Sequence, residues 1–167
     1  MMRVVVSPRP IDLGCELAGI EVDGAGGVAS FTGIVRGDDG VTQLELEHYP
    51  GATETALMAL AQAAKARWAL LAVTIVHRVG VMVPGDRVVL VAAAASHRAA
   101  ALDACAYLID QLKTKAPFWK RETRGRASLW VDARDSDDTA AARWDRDSTD
   151  PSRLDQPSLG SNTPFTT

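Results

Sequence analysis

Cysteine is scarce in this chain. Cys15 and Cys105 are the only two in 167 residues, and they stand far apart with no C-x-x-C pairing. Two cysteines are too few for a disulfide scaffold, and their spacing does not suit a zinc site. Cys105 falls on an alanine-rich helical face and reads as a buried, inert thiol. Histidine is also sparse: His48, His77 and His97 show no metal-ligand spacing, and no H-E-x-x-H is present. Structural or hydrogen-bonding roles therefore suit His48 and His77 better than zinc, and neither a metal nor another cofactor is expected. No apolar run approaches the roughly 18–20 residues of a membrane-spanning helix. The short run at Val4, Val5 and Val6 is too brief for a signal peptide, so a cytoplasmic protein is expected. P-loop, nucleophile-elbow and paired-carboxylate motifs are all missing.

What the chain does have is a globular composition, 47% hydrophobic and 23% charged, enough for one buried core. Its net charge of -3 is unevenly spread. Between residues 98 and 126 lie Arg98, Lys113, Lys115, Lys120, Arg121, Arg124 and Arg126, opposed by Asp103, Asp110 and Glu122. Seven bases less three acids make that window +4, leaving -7 for the remainder. A focused positive patch on an acidic protein suits a small anionic ligand or an acidic partner tail, and disfavours general nucleic-acid binding.

Periodicity divides the chain into alternating elements. Residues 1–12 read as a strand closed by Pro8 and Pro10. Gly24-Ala25-Gly26-Gly27-Val28-Ala29 fits a G-x-G-x-x-A dinucleotide fingerprint on paper. The next residues, 28–35, are β-prone rather than helical, so these glycines form a turn before a strand. A turn at 37–40 leads into a half-buried strand at 41–49, expected to pair with its predecessor in a hairpin. Thr53 can cap a helix whose stripe is Leu57, Leu60, Ala61, Ala64 and Trp68. A strand at 73–79, a Val83-Pro84-Gly85-Asp86 type II turn and a strand at 87–94 come next. The last is continuously apolar, which predicts burial on both faces. Ser96 is the expected cap of a second helix that runs to about Lys115 and is stopped by Pro117. Residues 118–126 read as a basic, aromatic loop, 128–133 as a strand and 137–144 as a helical piece. The pattern is α+β, a mostly antiparallel sheet with two main helices in a single domain spanning 1–145. Residues 146–167, rich in Ser, Asp, Pro, Thr and Gly, read as a polar, poorly ordered tail.

Three groups could carry chemistry. Ser96-His97-Arg98 opens a helix, where free N–H groups and the dipole favour an anion. Cations in that turn oppose the dipole, so either they bind phosphate or they are simply solvated. Lys113, Lys115, Lys120 and Arg121 flank Pro117-Phe118-Trp119, whose rigid ring and aromatics would anchor them. A lysine crowded by cations has a lowered pKa and can act as acid, base or nucleophile, although such a run can also be a solvated face. Arg36 ends a strand and is a ligand clamp or a surface residue.

The ordered segments Phe31-Thr32-Gly33-Ile34-Val35-Arg36, Leu46-Glu47-His48-Tyr49-Pro50-Gly51, Ile75-Val76-His77-Arg78-Val79-Gly80 and Val83-Pro84-Gly85-Asp86 precede Ser96-His97-Arg98. They end in Leu112-Lys113-Thr114-Lys115-Ala116-Pro117-Phe118-Trp119-Lys120-Arg121-Glu122. From about residue 3 to Trp144 this resembles the catalytic, or large, subunit family of molybdopterin synthase. The resemblance implies an alpha/beta hammerhead-like domain and a sulfurtransferase. Such an enzyme converts cyclic pyranopterin monophosphate into molybdopterin by adding two sulfurs as a dithiolene. It also implies a small ubiquitin-like partner that carries sulfur as a C-terminal Gly-Gly thiocarboxylate, and a homodimer within a heterotetramer. By the same resemblance, Arg36, His97 and Arg98 bind the substrate phosphate. Lys113 meets the thiocarboxylate, and Lys120, Arg121 and Glu122 complete the pocket, with Lys113 and Lys120 catalytic. One departure is Ile34, where some relatives carry lysine.

His97 and Lys113 lie sixteen positions apart on one helix, about 24 Å at 1.5 Å per residue. One small substrate cannot bridge that within a subunit, so each site is expected to combine His97 and Arg98 of one protomer with Lys113 and Lys120 of the other. Two other classes fit parts of the pattern. A non-catalytic phosphate-binding dimer would need Arg36, His97 and Arg98 but not Lys113. A single-stranded nucleic-acid platform would use Phe118 and Trp119, against the acidity of the remaining surface.

Overall fold

The apolar run that begins after Arg87 has no polar face in sequence, and in the folded chain it has no solvent face either. A computed structural model describes residues 1–131 and 135–146. In chain order its elements are β1 (Met2–Ser7), α1 (Leu13–Ala18), β2 (Gly27–Ile34), β3 (Val41–His48), α2 (Ala52–Arg67), β4 (Ala72–Arg78), β5 (Gly80–Met82), β6 (Arg87–Ala95), α3 (Arg98–Lys115), β7 (Phe118–Arg124), β8 (Ala127–Val131) and α4 (Asp135–Arg146). The strands form two four-stranded sheets, ordered β1-β4-β6-β2 and β5-β3-β7-β8. Among the described residues, only the β1–β4 pair is parallel. The chain is therefore α+β with mostly antiparallel strands, its two long helices being α2 and α3.

Alternation along β6 explains its composition. Val89, Val91, Ala93 and Ala95 face a core shared with Leu57 and Leu60 of α2 and Leu108 and Leu112 of α3. The intervening Leu90, Ala92 and Ala94 point the other way, toward Ile11, Ile20, Ala72 and Val76. The N-terminal segment covers that second face, with Asp12 capping α1 by accepting from the Cys15 N–H at 3.1 Å. A smaller core of Val35, Leu44, Leu46 and Met82 joins the second sheet to the first.

Several expectations change at the joints. β3 does not form a hairpin with β2: β2 pairs with β6, and β3 lies between β5 and β7 in the other sheet. The cause is a knot of backbone bonds at the end of β2. The Val35 N–H donates to Asp86 O at 2.8 Å and the Gly85 N–H donates to Val35 O at 2.9 Å. The chain is thereby tied to the 83–86 turn and leaves the first sheet. The segment expected as a basic loop at 118–126 is strand β7, closed onto β8 by a tight turn at Gly125, whose φ is +58°.

Neither expected helix cap holds. Glu54 accepts from the Gly51 N–H at 2.7 Å at the start of α2, while Thr53 is fully buried inside the helix. α3 begins after His97, not Ser96. α3 ends at Lys115 because Ala116, preceding Pro117, is forced extended, with ψ 127°. α1 and β5 were not expected; both are short, and neither spans two full periods. Of the strand expected at 128–133, residues 132 and 133 lie outside the described residues, as do residues 147–167 of the expected tail.

α4 is docked through Trp144, whose ring meets Trp68 and Tyr107 edge-on and whose Nε1 donates to Asp110 at 2.9 Å. No described helix is long and apolar enough to cross a membrane. If β6 is packed on both faces, Ala92→Leu and Ala93→Leu, which enlarge opposite sides, should each lower the unfolding free energy by about 1–3 kcal/mol. Urea denaturation measures this, and tolerance of either substitution would mean that one face has room.

Candidate active site

Where the two sheets meet, the end of α3 closes one side of a cleft of about 900 Å³. Its apolar wall comes from β2 and β3, including Phe31, Ile34, Leu44 and Leu46, and its cations are Arg36, Lys113, Lys120 and Arg124. The placement of the last two follows from strand geometry. Register pairs Leu46 with Lys120 and Leu44 with Glu122, so these four side chains share one face of the sheet. Residues of the other parity, Trp119 and Arg121, point away.

Arg121 is thus separated from Lys120 and Glu122, contrary to the expectation that all three complete one pocket in the chain. It pairs with Glu45 across the strand and lies over the Trp130 ring at 5.2 Å. Period two puts neighbouring residues on opposite faces, a division that a loop at this position would not impose. The same parity brings in Arg124, a cleft residue that the sequence marks as part of the charge patch but not as part of a site.

Glu122 organises the cations beside it. Its carboxylate accepts from Lys120 Nζ at 2.6 Å and from Arg124 at 2.8 Å. Those hydrogen bonds, Lys120 first, hold the Glu122 carboxyl below the ordinary range, and Glu122 in turn raises the Arg124 guanidinium. Arg36, just beyond β2, is exposed and pairs with Asp38 at 3.2 Å. Lys113 lies in the last turn of α3, where a cation complements the helix dipole.

His97 and Arg98 lie at the opposite end of α3 and do not line this cleft. His97 is the exposed N-cap, makes no side-chain capping bond, and is followed by a first turn without acids. The expected glycine turn has a packing role there. A Cβ on Gly26 would stand 2.2 Å from the Ser96 carbonyl oxygen, so only glycine lets this turn pass the residues that carry His97 and Arg98.

His77, expected from the sequence to be structural or hydrogen-bonding, also lines the cleft wall. It is buried, and its Nδ1 lies 2.8 Å from Arg78 O. A carbonyl only accepts, so Nδ1 carries the proton and the neutral ring leaves Nε2 as an acceptor. Burial pushes the imidazole pKa down to about 4, against the opposing Arg78 carbonyl bond and aided by nearby His48. Among the described residues, no group of three or more His, Cys, Asp and Glu is placed to hold a metal.

Two outcomes are expected. A histidine near 6.5 unfolded and about 4 folded binds more protons when unfolded. Its contribution is complete above pH 6.5 and is lost as pH falls toward 4, by about 3 kcal/mol. Unfolding free energies measured across that range should fall more for the parent than for His77→Phe; parallel curves would mean that His77 is not held neutral. Gly26→Ala should cost about 1–3 kcal/mol through the backbone clash, measured by thermal unfolding.

The MoaE protein family matches residues 6–115. The molybdopterin synthase catalytic subunit of Salmonella typhimurium is 49% identical over 148 residues, covering 85% of this chain and 97% of the relative. A molybdopterin biosynthesis MoaE protein from Burkholderia ambifaria superposes with a TM-score of 0.76 at 46% identity, over 87% of this chain and 99% of that one. A protein–protein complex of subunits 1 and 2 of molybdopterin-converting factor from Helicobacter pylori contains a chain 20% identical, with a TM-score of 0.67 over 80% of this chain and 91% of its own, and shares the fold. With that identity over nearly the whole folded region, the chain belongs to the MoaE family of molybdopterin synthase catalytic subunits.

Proposed function

We propose that this chain transfers two sulfurs from the C-terminal thiocarboxylate of a small ubiquitin-like partner to cyclic pyranopterin monophosphate, forming the dithiolene of molybdopterin. The observation that carries this reading is the gathering of Lys113, Lys120, Arg36 and Arg124 around one cleft of about 900 Å³. That volume accommodates a small phosphorylated heterocycle together with the end of a peptide tail. The four cations outnumber the three acids of the same cleft, Asp38, Asp39 and Glu122, and attract both anions. A lysine within reach supplies proton transfer as sulfur adds and the cyclic phosphate opens.

The roles divide by position. Lys113 meets the thiocarboxylate, Lys120 works beside it, and Glu122 holds Lys120 in place. Arg36 reaches the substrate from the β2 side. His97 and Arg98 bind phosphate from a second protomer, because about 24 Å of helix separates His97 from Lys113 in their own. The open edge of the first sheet, β2, exposes Phe31 and Ile34, apolar side chains suited to that contact. The working assembly is then a homodimer carrying one sulfur-carrier subunit on each side. Cys15 and Cys105 are both free thiols, which suits the reducing cytoplasm.

Reconstituted turnover tests the reading. Chain, cyclic pyranopterin monophosphate and thiocarboxylated partner are combined, and product is read as its fluorescent oxidised derivative. Lys113→Ala should abolish product while leaving the dimer folded, and near-normal product from that variant removes Lys113 from its role. The shared site has a sharper test. His97→Ala and Lys113→Ala chains, each inactive alone, should regain about a quarter of the parent rate when unfolded and refolded together. Half the dimers are then mixed, and each mixed dimer has one intact site of two. No recovery would place all the residues of a site in a single chain.

A further inference from the structure

We propose that the stacked His77–Phe118 pair is the positioning element that sets Lys113 and Lys120 relative to one another. The inference rests on the reading of those lysines as the catalytic pair. They lie on opposite sides of a single joint: α3 ends at Lys115 and β7 starts at Phe118, with only Ala116 and Pro117 between. Any swing of β7 about that joint changes the lysine-to-lysine geometry.

The ladder with β3 makes β7 move with the rest of its sheet, so what matters at the joint is how that sheet is tied to the first. The Thr53 hydroxyl donates to Pro117 O at 3.3 Å, and the Phe118 N–H donates to Ala116 O at 2.9 Å. Neither bond joins β7 to the first sheet, whereas the Phe118 ring does. It lies against His77 with centroids 4.0 Å apart and planes 21° from parallel, and near His48, its cross-strand neighbour, at 6.5 Å. Phe118 has the strand parity of Lys120, so fixing its ring fixes the face that Lys120 occupies. His77 is itself immobile. It lies near the end of β4, pairs with Val6 of β1 and Val89 of β6, and anchors its ring through Nδ1 to Arg78 O. The His77–Phe118 contact thus ties the second sheet to the rigid first sheet at its α3 end, alongside the core of Val35, Leu44, Leu46 and Met82.

The test uses full-length chain with thiocarboxylated partner. His77→Phe keeps a ring to stack on, whereas His77→Gln keeps hydrogen-bonding capacity and loses the ring. Phe118→Leu removes the stack from the other side and serves if His77→Gln fails to fold. His77→Phe should stay within about threefold of the parent kcat. His77→Gln and Phe118→Leu should lose about 100-fold in kcat with KM for the pterin within about twofold, as displacement of a reacting group does. A second readout does not depend on turnover. In ¹³C-methylated protein, the Lys113 and Lys120 methyl resonances should shift in His77→Gln and Phe118→Leu and stay in place in His77→Phe. Full activity in Phe118→Leu, or a His77→Phe loss as deep as that of His77→Gln, overturns the proposal. If even the parent yields no dithiolene, the proposed function falls, and the lysine resonances alone then decide the positioning.

Discussion

Burial of β6 on both faces sets the rest of the architecture. A strand with no solvated side needs a layer above and a layer below, and the chain supplies α2 and α3 on one side and the N-terminal segment on the other. Because Val91 and Ala93 hold α3 flat against the sheet, the two ends of that helix are fixed in space. One end presents His97 and Arg98 beside the glycine turn, and the other presents Lys113 to the cleft. The second sheet is then hung from the C-terminal end of α3 through Pro117, and the cleft is the space left between.

Three acids line the cleft, Asp38, Asp39 and Glu122, and Glu122 arranges two of its cations. Lys120 and Arg124 stand on one strand face, where like charges repel, and Glu122 between them accepts from both. This keeps two cations at fixed positions, and Lys113 and Arg36, the latter paired with Asp38, also line the cleft. The depressed Glu122 carboxyl keeps that arrangement intact throughout the neutral range. An arriving anion therefore meets positive groups already in place, which is how a preorganised site stabilises developing charge without reorganising.

Most of the fold is legible where one face of an element is apolar and the other polar. The stripe Leu57, Leu60, Ala61, Ala64 marks α2, and the unbroken run after Arg87 marks a doubly buried strand. Pattern fails at β7, and the reason is functional. Its cleft face carries Lys120, Glu122 and Arg124, while Trp119 and Arg121 stand on the outer face. The hydrophobic alternation that identifies strands is therefore replaced by charge on the side that normally enters a core. Local rules break where a site imposes its own demands. β3 is recognisable as a strand but not by its partner, because pairing is decided by the Val35–Asp86 and Gly85–Val35 backbone bonds, which leave no trace in side-chain pattern.

The site residues divide along the same line. Lys113, Lys120, Glu122 and Arg36 meet in one cleft as a set, whereas His97 and Arg98 lie at the far end of the helix that carries Lys113. A straight helix cannot be shortened, so no adjustment of side chains within one chain brings the two groups around one small molecule. If both groups act on the same substrate, the second must come from another copy, and the surface that delivers it has to reach the cleft from its open side. The exposed apolar residues of β2 flank that opening: Phe31 and Ile34 line the cleft and are also half or nearly half exposed. Side chains that are wall and surface at once are those a neighbouring subunit would bury, and burying them would exclude water from the cleft that the lysines line.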